Sequence, residues 1–421
     1  MKRWTTLAAY DVIVIGGGAA GMFSAATAAF AGSRVLLLEK TERFGWKLSI
    51  TGKGRCNVTN HCTPGAVLEN VPRNPRFLYS VMDAFPPQRA ESAFEAMGVP
   101  LKTERGNRVF PVSDRAGDVV AALKAHMRKA GVHCRNEGAE ALLIRHGAVA
   151  GVKTARGAYT ADRVILATGG LSYPQTGSTG DGYRMAEAAG HTIVPGEGSL
   201  VPLEISGGEC RKMAGLSLRN VGMRLWGKGK KPLYEDFGEA MFMSYGLSGP
   251  TILSASAHMD GKKGPYTVAL DLKPALDEKK LDARMLRDFS ERHNDSIYEG
   301  LRGLLPAQMI PVILDRCHIP TGTPVHEITR PQRRAIGETI KDFRLPVAGK
   351  RPVSEAIITR GGVKVSEVDP KTMASKKCPG LYFAGEILDV DAYTGGFNLQ
   401  IAWATAYAAG TSCGKTEKTV V

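Results

Sequence analysis

Apolar runs bounded by glycine recur near both ends of the chain, and each leads into a stretch of small residues. Near the N-terminus, the β-branched run VIVI between Asp11 and Gly16 predicts a buried strand. It enters Gly16-Gly-Gly-Ala-Ala-Gly21 directly, and the following MFSAATAAFAG has the small, unbranched character of a closely packed helix. Arg34-VLLLE-Lys40 then predicts a second apolar strand that ends on Glu39. Short strands are expected again from Val132, Ala141 and Val149, followed by one apolar strand from Tyr159 to Thr168 that runs into Ala167-Thr-Gly-Gly170. The loop Gly177-Ser-Thr-Gly-Asp-Gly182 opens another small-residue helix, which ends at Gly190. Close to the C-terminus the same pattern returns: a strand over Gly380–Ile387 ending in glycine and an acid, then a helix opened by Thr394-Gly-Gly-Phe-Asn-Leu-Gln400.

The middle of the chain has a different texture. Residues 198–275 carry short, glycine-interrupted strand patterns such as MRLW from Met223 and YTVALDL from Tyr266. Residues 276–341 have helical periodicity with charge on one side of each segment, and FRLPV from Phe343 returns to strand. The expected fold class is therefore α/β: a split Rossmann-type dinucleotide-binding domain with an inserted β-barrel-like plus helical substrate domain. The expected boundaries are 1–197 and 353–421 for the split domain, 198–275 and 342–352 for the β-rich insert, and 276–341 for the helical part.

Bulk composition narrows this little. The 421 residues are 43% hydrophobic and 23% charged, an ordinary globular balance. No apolar run approaches the roughly 18 residues a membrane span needs. The N-terminal apolar stretch passes into glycines rather than into a small-residue cleavage site, which predicts a buried strand and a cytoplasmic protein. Seven cysteines without a C-x-x-C pair argue against a zinc ribbon, a dithiol motif or a disulfide framework. Fifty-five Lys and Arg against 41 Asp and Glu give +14, but the basic residues fall in scattered pairs, such as Lys230-Lys231, Lys262-Lys263, Arg333-Arg334 and Lys376-Lys377. Without a basic block, a solvated surface is the simpler expectation, and no nucleic-acid partner is expected.

The chemistry lies in the glycine loops. Strand, G-x-G-x-x-G, helix and terminal acid together form the dinucleotide fingerprint. Gly16 serves the tight turn, Gly18 the approach of a pyrophosphate, and Gly21 the close packing of helix on strand. Glu39 is placed to accept hydrogen bonds from ribose hydroxyls. Residues 51–60, TGKGRCNVTN, admit three readings: a phosphate cradle, a reactive thiol between cations, or a basic grip on nucleic acid. Their position just beyond Glu39 favours the cradle, with Gly52 and Gly54 freeing the backbone and Arg55 and Lys53 supplying charge. Cys56 is then a small buried residue rather than a redox thiol.

The late strand–acid motif Ala384-Gly385-Glu386 and the closing helix resemble the pattern of two-dinucleotide-fold flavoproteins, which points to FAD rather than NAD. More specifically, DVIVIGGGAAGM, TGKGRCNVTN, TGSTGDGYRMA, GLSGPTIL, ITRGGV and TMASKKCPGLYFAGEILDVDAYTGGFNLQIAWATAYAAG resemble the BaiN-like flavoprotein family. That family includes aminoacetone-oxidase-like proteins and bile-acid enone reductases. The resemblance implies FAD contacts at Gly16, Gly18, Ala20, Gly21, Glu39, Lys40, Lys47, Gly54, Arg55, Cys56, Asn57, Thr168, Gly169, Asp181, Gly385, Glu386, Gly396, Asn398 and Leu399. Relatives usually carry Thr-His before GLSGP; here Met243 and Ser244 precede Tyr245, so a histidine role cannot be carried over.

No second G-x-G-x-x-G is present, so NAD(P)H is expected as a transient donor rather than a resident of its own domain. The expected reaction is hydride transfer from flavin to the C=C of an unsaturated small molecule, such as a steroid-like enone, with a protein acid completing the addition. Arg360, Tyr393 and Tyr245 are the candidate acids, with Asp391 and His191 behind them. Two alternatives stay open: oxidation of small amines or amino-ketones with O2, and an RNA-binding flavoprotein.

Overall fold

The structure, a computed structural model, describes residues 6–261 and 263–414; Lys262 and the chain ends lie outside these. The chain divides into two compact units, Met1–Ser199 with Val353–Val421, and Leu200–Pro352.

The first unit is built on a five-stranded parallel sheet in the order Leu381–Phe383, Arg163–Leu166, Val12–Ile15, Val35–Glu39, His133–Asn136. Val12 to Ile15 and Leu36 to Leu38 are almost wholly buried, which explains why these strands read as unbroken apolar runs rather than alternating ones. The helix Ala19–Phe30 and the helix Phe397–Ser412 pack tightly against each other. Small residues permit this approach: a Cβ at Gly410 would stand 2.7 Å from the Ser24 carbonyl oxygen. A four-stranded sheet (Thr6–Ala9, Gly157–Thr160, Ala148–Thr154, Ala139–Arg145) lies in the same unit. So does a three-stranded one (Thr59–Asn60, Arg108–Pro111, Leu101–Glu104).

One expectation is corrected here. The apolar stretch Tyr159–Thr168 is not one strand. Gly157–Thr160 pairs with Ala148–Thr154 and Thr6–Ala9, whereas Arg163–Leu166 belongs to the parallel sheet. Between them Ala161 and exposed Asp162 leave both ladders, so one apolar run feeds two sheets.

The second unit is a closed six-stranded barrel in the order Leu203–Ile205, Gly246–Ser248, Tyr234–Met243, Ser217–Trp226, Tyr266–Asp271, Phe343–Lys350. The helices Glu278–Glu291, Ile297–Leu301, Ile310–Arg316 and Arg330–Lys341 complete it. Met223, Leu225, Phe242, Leu270 and Phe343 share one core with Leu281, Met285 and Ile313 from these helices. Among the described residues, no helix is long and apolar enough to cross a membrane.

Candidate functional site

The carboxyl ends of the Val12–Ile15, Arg163–Leu166 and Leu381–Phe383 strands lie side by side, the place where open α/β sheets bind ligands. Gly16 leaves the first strand at φ 106°, and a Cβ there would stand 2.5 Å from the Ala167 carbonyl oxygen. A Cβ at Gly21 would lie 1.7 Å from the Gly16 carbonyl oxygen. Gly18 is different: it is the N-cap of the Ala19–Phe30 helix, no side chain caps it, and a Cβ there would meet nothing within 4 Å. Open space therefore stands before a helix end whose first N–H groups carry partial positive charge. Ala20, in the first turn of that helix, is buried.

Glu39 closes the same turn. Its carboxylate accepts hydrogen bonds from the Gly17 and Thr41 amides at 2.6 and 2.7 Å. Lys40 reaches across to Asp181 and Thr179 and ties the Gly177–Gly182 loop to the Val35–Glu39 strand. Burial opposes ionisation of Asp181, but hydrogen bonds from Lys40 and Thr179 hold it below the usual carboxylate range. Thr168 and Gly169 follow the Arg163–Leu166 strand. The Thr168 hydroxyl is buried without a hydrogen-bond partner among the described residues, and a Cβ at Gly182 would stand 2.0 Å from it.

A buried polar network joins residues distant in sequence. Lys47 Nζ donates to Glu386 Oε2 at 2.7 Å and to Ser172 Oγ at 2.6 Å. Glu386 Oε1 accepts from Ser172 Oγ and from the Thr359 amide, both at 2.8 Å. The Thr359 hydroxyl in turn accepts from the Leu171 and Ser172 amides. Gly385 is fixed by its amide donating to the Thr405 hydroxyl at 3.0 Å. Sequence reasoning found Lys47 and Glu386 but missed Ser172 and Thr359. The only signals for those two were their places beside Ala167-Thr-Gly-Gly170 and Arg360.

The TGKGRCNVTN segment breaks its helix at Thr51 and then takes three left-handed residues, Gly52, Lys53 and Gly54 (φ 57°, 60° and 83°). A Cβ at Gly54 would meet nothing within 4 Å. Asn57 keeps a buried carbonyl oxygen without a partner among the described residues. Arg55 is held from two sides: its guanidinium pairs with Glu104 and Asp114 and lies over the Phe110 ring, 4.1 Å from its centroid. Two acids of the same unit thus stand beside the charge expected to face a phosphate. Cys56 is fully buried, and burial pushes its thiol up to about 12. Iodoacetamide at about pH 8 is expected to leave Cys56 unlabelled in the folded protein and to label it after denaturation. Cys56→Ala is expected to keep cofactor and turnover. Rapid labelling of Cys56 in the native state would restore the reactive-thiol reading.

The Phe397–Ser412 helix opens at Gly396 (φ 98°), again with no side-chain cap. A Cβ at Gly396 would meet the Thr59 carbonyl oxygen at 2.3 Å. Trp403 Nε1 donates to the Val58 carbonyl oxygen, and Gln400 bridges Thr59 Oγ1 and the Phe85 carbonyl oxygen. Asn398 turns inward and clamps both the amide and the carbonyl of Ala392 at 2.9 and 2.6 Å. It shapes the turn before the helix with both ends of its amide. Leu399 is half-buried beside it.

The candidate acids are carried by separate elements. Tyr245 is in the second unit, in the turn before Gly246–Ser248, with the Arg351 guanidinium over its ring. Arg360 is in the Ile358–Val363 strand opposite Glu197 of Ile193–Ser199. Tyr393 donates its amide to the Asn70 carbonyl oxygen. His191 hydrogen-bonds Ser375 at 2.6 Å and lies edge-on to Phe383, and burial lowers its pKa. It clasps a loop far along the chain.

Asp391 is the most unusual of these. It is 1% exposed; the Ser199 hydroxyl donates to Oδ2 at 2.6 Å, and Oδ1 has no partner among the described residues. Burial raises its pKa, against the pull of the Ser199 hydrogen bond and of Arg360 and Arg73, while Asp389 pushes the same way as burial. A carboxyl raised on folding favours the native state most below its unfolded pKa, and that advantage is lost as pH rises. Asp391→Asn is therefore expected to gain stability relative to the unmodified protein as pH climbs from about 4 towards 7, read by thermal melting. A pH-independent difference would contradict this.

These features define a dinucleotide-binding flavoprotein of the oxidoreductase class. The chain matches the HI0933-like protein Rossmann domain over residues 10–412 and belongs to that family. It is 33% identical over 410 residues (94% of this chain, 97% of the other) to the 3-dehydro-bile acid delta(4,6)-reductase of Clostridium scindens. It is 30% identical over 404 residues (95% and 96%) to the ribosomal RNA dihydrouridine synthase of Escherichia coli. Among solved structures it resembles the 3-ketosteroid-delta4-(5alpha)-dehydrogenase of Rhodococcus jostii. There the TM-score is 0.52 at 16% identity, over 99% of this chain and 98% of that one, a likeness of fold.

Proposed function

We propose that this FAD-dependent oxidoreductase saturates a C=C bond conjugated to a carbonyl, with NAD(P)H as the transient donor that reduces the flavin. The observation that carries this reading is the full-length similarity to two proteins whose names both describe saturation of such a bond, one in a steroid and one in a uracil ring. The cradle supports it. The open helix end at Gly18 suits a pyrophosphate, Glu39 retains lone pairs for ribose hydroxyls, and the unpartnered oxygens of Asn57 and Thr168 suit donors on a cofactor. Lys47, Glu386 and Gly385 would meet its ribityl chain, and the uncapped Phe397–Ser412 helix would face the flavin pyrimidine.

When bound, reduced flavin supplies two electrons and a proton as hydride to the carbon β to the carbonyl, and it is left oxidised. The chain's own task is to polarise that carbonyl and to deliver a proton to the α-carbon. Arg360 and Tyr393, at the edge of the cofactor-holding unit, take these roles, and Asp391 with Ser199 positions the turn that carries Tyr393. Steroid-like enones and uracil are two carriers of the same bond.

Two measurements test the proposal. Anaerobic NADPH or NADH is expected to bleach the visible flavin band; if neither does so and an amine does, the protein is an oxidase. Gly18→Val adds bulk only to the open space before the helix, so it is expected to melt like the unmodified protein while losing FAD affinity tenfold or more, ~1.4 kcal/mol. Unchanged affinity would remove Gly18 from the cofactor site.

A further inference from the structure

Three largely buried carboxyl groups stand in the segment from Glu386 to Asp391, and they are answered unequally. Glu386 faces Lys47. Asp389, 3% exposed, has Arg73 Nε 2.7 Å from its Oδ1 and accepts from Asn74 at Oδ2, at 3.2 Å. Asp391 has only the Ser199 hydroxyl on Oδ2, and its Oδ1 is buried without a partner among the described residues. The Asp391 backbone forms an isolated antiparallel bridge with that of Arg73, so both aspartates and the arginine are gathered in one place.

Every element around Asp391 bears on its charge. Ser199 ends the Ile193–Ser199 strand, and its hydrogen bond favours the anion. Arg360 of the Ile358–Val363 strand and Arg73 favour the anion too, whereas burial and Asp389 oppose it. The helix Asp181–Ala188 contributes Tyr183, whose buried hydroxyl has no partner among the described residues. Burial, with the charges of Glu386 and Asp389, keeps that hydroxyl protonated. Asp391 is thus kept neutral by its dry surroundings, while two arginines and a serine hydroxyl stand by to stabilise it once ionised. A carboxyl balanced in this way can release a proton and take it back, which an acid locked into an ion pair cannot do readily.

We propose that Asp391 holds the proton that restores Tyr393, two positions further along the same segment, after each reduction. The proposal rests on the reading of the protein as a reductase of carbonyl-conjugated C=C bonds, with Tyr393 as the acid. Once the β-carbon has received its hydride, the Tyr393 O–H bond breaks and its proton forms the new C–H bond at the α-carbon, leaving a phenolate. The Asp391 O–H bond then breaks and its proton passes to the phenolate oxygen, a downhill transfer from a carboxyl to a phenolate. Arg73 and Arg360 stabilise the carboxylate until solvent protonates it again. Asp391 therefore acts through Tyr393 and does not touch the substrate.

First and later turnovers separate this role from a structural one. Holoprotein reduced photochemically without O2 is mixed with cyclohexenone or a 4-en-3-one steroid to read one turnover, and excess dithionite then sustains repeated turnover on the same substrate. Asp391→Asn is expected to keep its flavin and its first-turnover rate, and to slow repeated turnover about tenfold or more. In the unmodified protein the repeated rate is expected to fall as pH rises through the Asp391 pKa, and Asp391→Asn to lose that limb. Ser199→Ala removes the bond that favours the anion, so it is expected to move the limb to higher pH while leaving the plateau in place. Equal slowing of first and later turnovers in Asp391→Asn would make Asp391 a support of the Tyr393 turn alone and overturn the proposal. So would an unchanged repeated rate, or a limb that Ser199→Ala leaves in place. Failure of the reductase reading looks different: reduced flavin of the unmodified protein ignores both substrates in the first turnover, and the proposal falls with that reading.

Discussion

Gly21→Ala is expected to yield protein that either fails to accumulate in soluble form or carries no flavin. The added Cβ would lie 1.7 Å from the Gly16 carbonyl oxygen and 2.9 Å from its carbon, both backbone atoms that cannot rotate away. Relief requires the Ala19–Phe30 helix to lift from the Val12–Ile15 strand. That helix also packs along Phe397–Ser412, where Gly410 leaves no slack either. The cost is on the order of 4 kcal/mol or more, at the extreme of single-substitution effects. Chemical denaturation with flavin fluorescence as a second probe reads both consequences. A variant that melts normally with full flavin would show that the helix and strand are not held as closely as described.

The second large effect is at Lys47. Lys47→Met removes the cation facing Glu386, whose side chain is only 13% exposed, and leaves Ser172 and the Thr359 amide to satisfy the carboxylate. Losing one partner of a largely buried pair costs about 3 kcal/mol or somewhat less here, because Lys47 itself is 22% exposed. The companion Glu386→Gln in the same chain removes the stranded charge. The double variant is therefore expected to recover more than half of the lost stability, although not FAD affinity. If Lys47→Met and the double variant melt alike, the pair is not coupled as its geometry implies.

What the chain's pattern revealed, and what it concealed, follows from the range of the interactions. The Val12–Ile15 and Val35–Glu39 strands and the helix between them were legible because turn, small-residue run and apolar run are all local. The parallel sheet's need for burial on both faces gives an unmistakable apolar run. The inserted barrel was legible as a type, from its glycine-interrupted strand patterns. Its closure was not, since the Phe343–Lys350 strand pairs with Tyr266–Asp271 and Leu203–Ile205 across the intervening helices. The Tyr159–Thr168 run concealed two strands because a β-branched, aromatic stretch reads the same in either sheet.

In the site, the glycines and Glu39 were legible as a fingerprint. Ser172 and Thr359 were not, because the network they complete joins Lys47 to Glu386 across 339 positions. The partners of Arg55 were hidden for the same reason. A basic residue among glycines resembles a phosphate ligand, and nothing local announces Glu104 and Asp114 beside it.

The central claim is that flavin held in this cradle gives hydride to a carbonyl-conjugated double bond. It is tested most directly by reducing the bound flavin photochemically without O2 and then adding, in separate experiments, a 4-en-3-one steroid and a uridine-containing oligonucleotide. The account predicts that at least one of them returns the visible flavin band within the mixing experiment and is itself recovered two hydrogens heavier, one equivalent per flavin. Reduced flavin that ignores both, yet is reoxidised by O2 with release of peroxide and reduced again by a small amine, would contradict it.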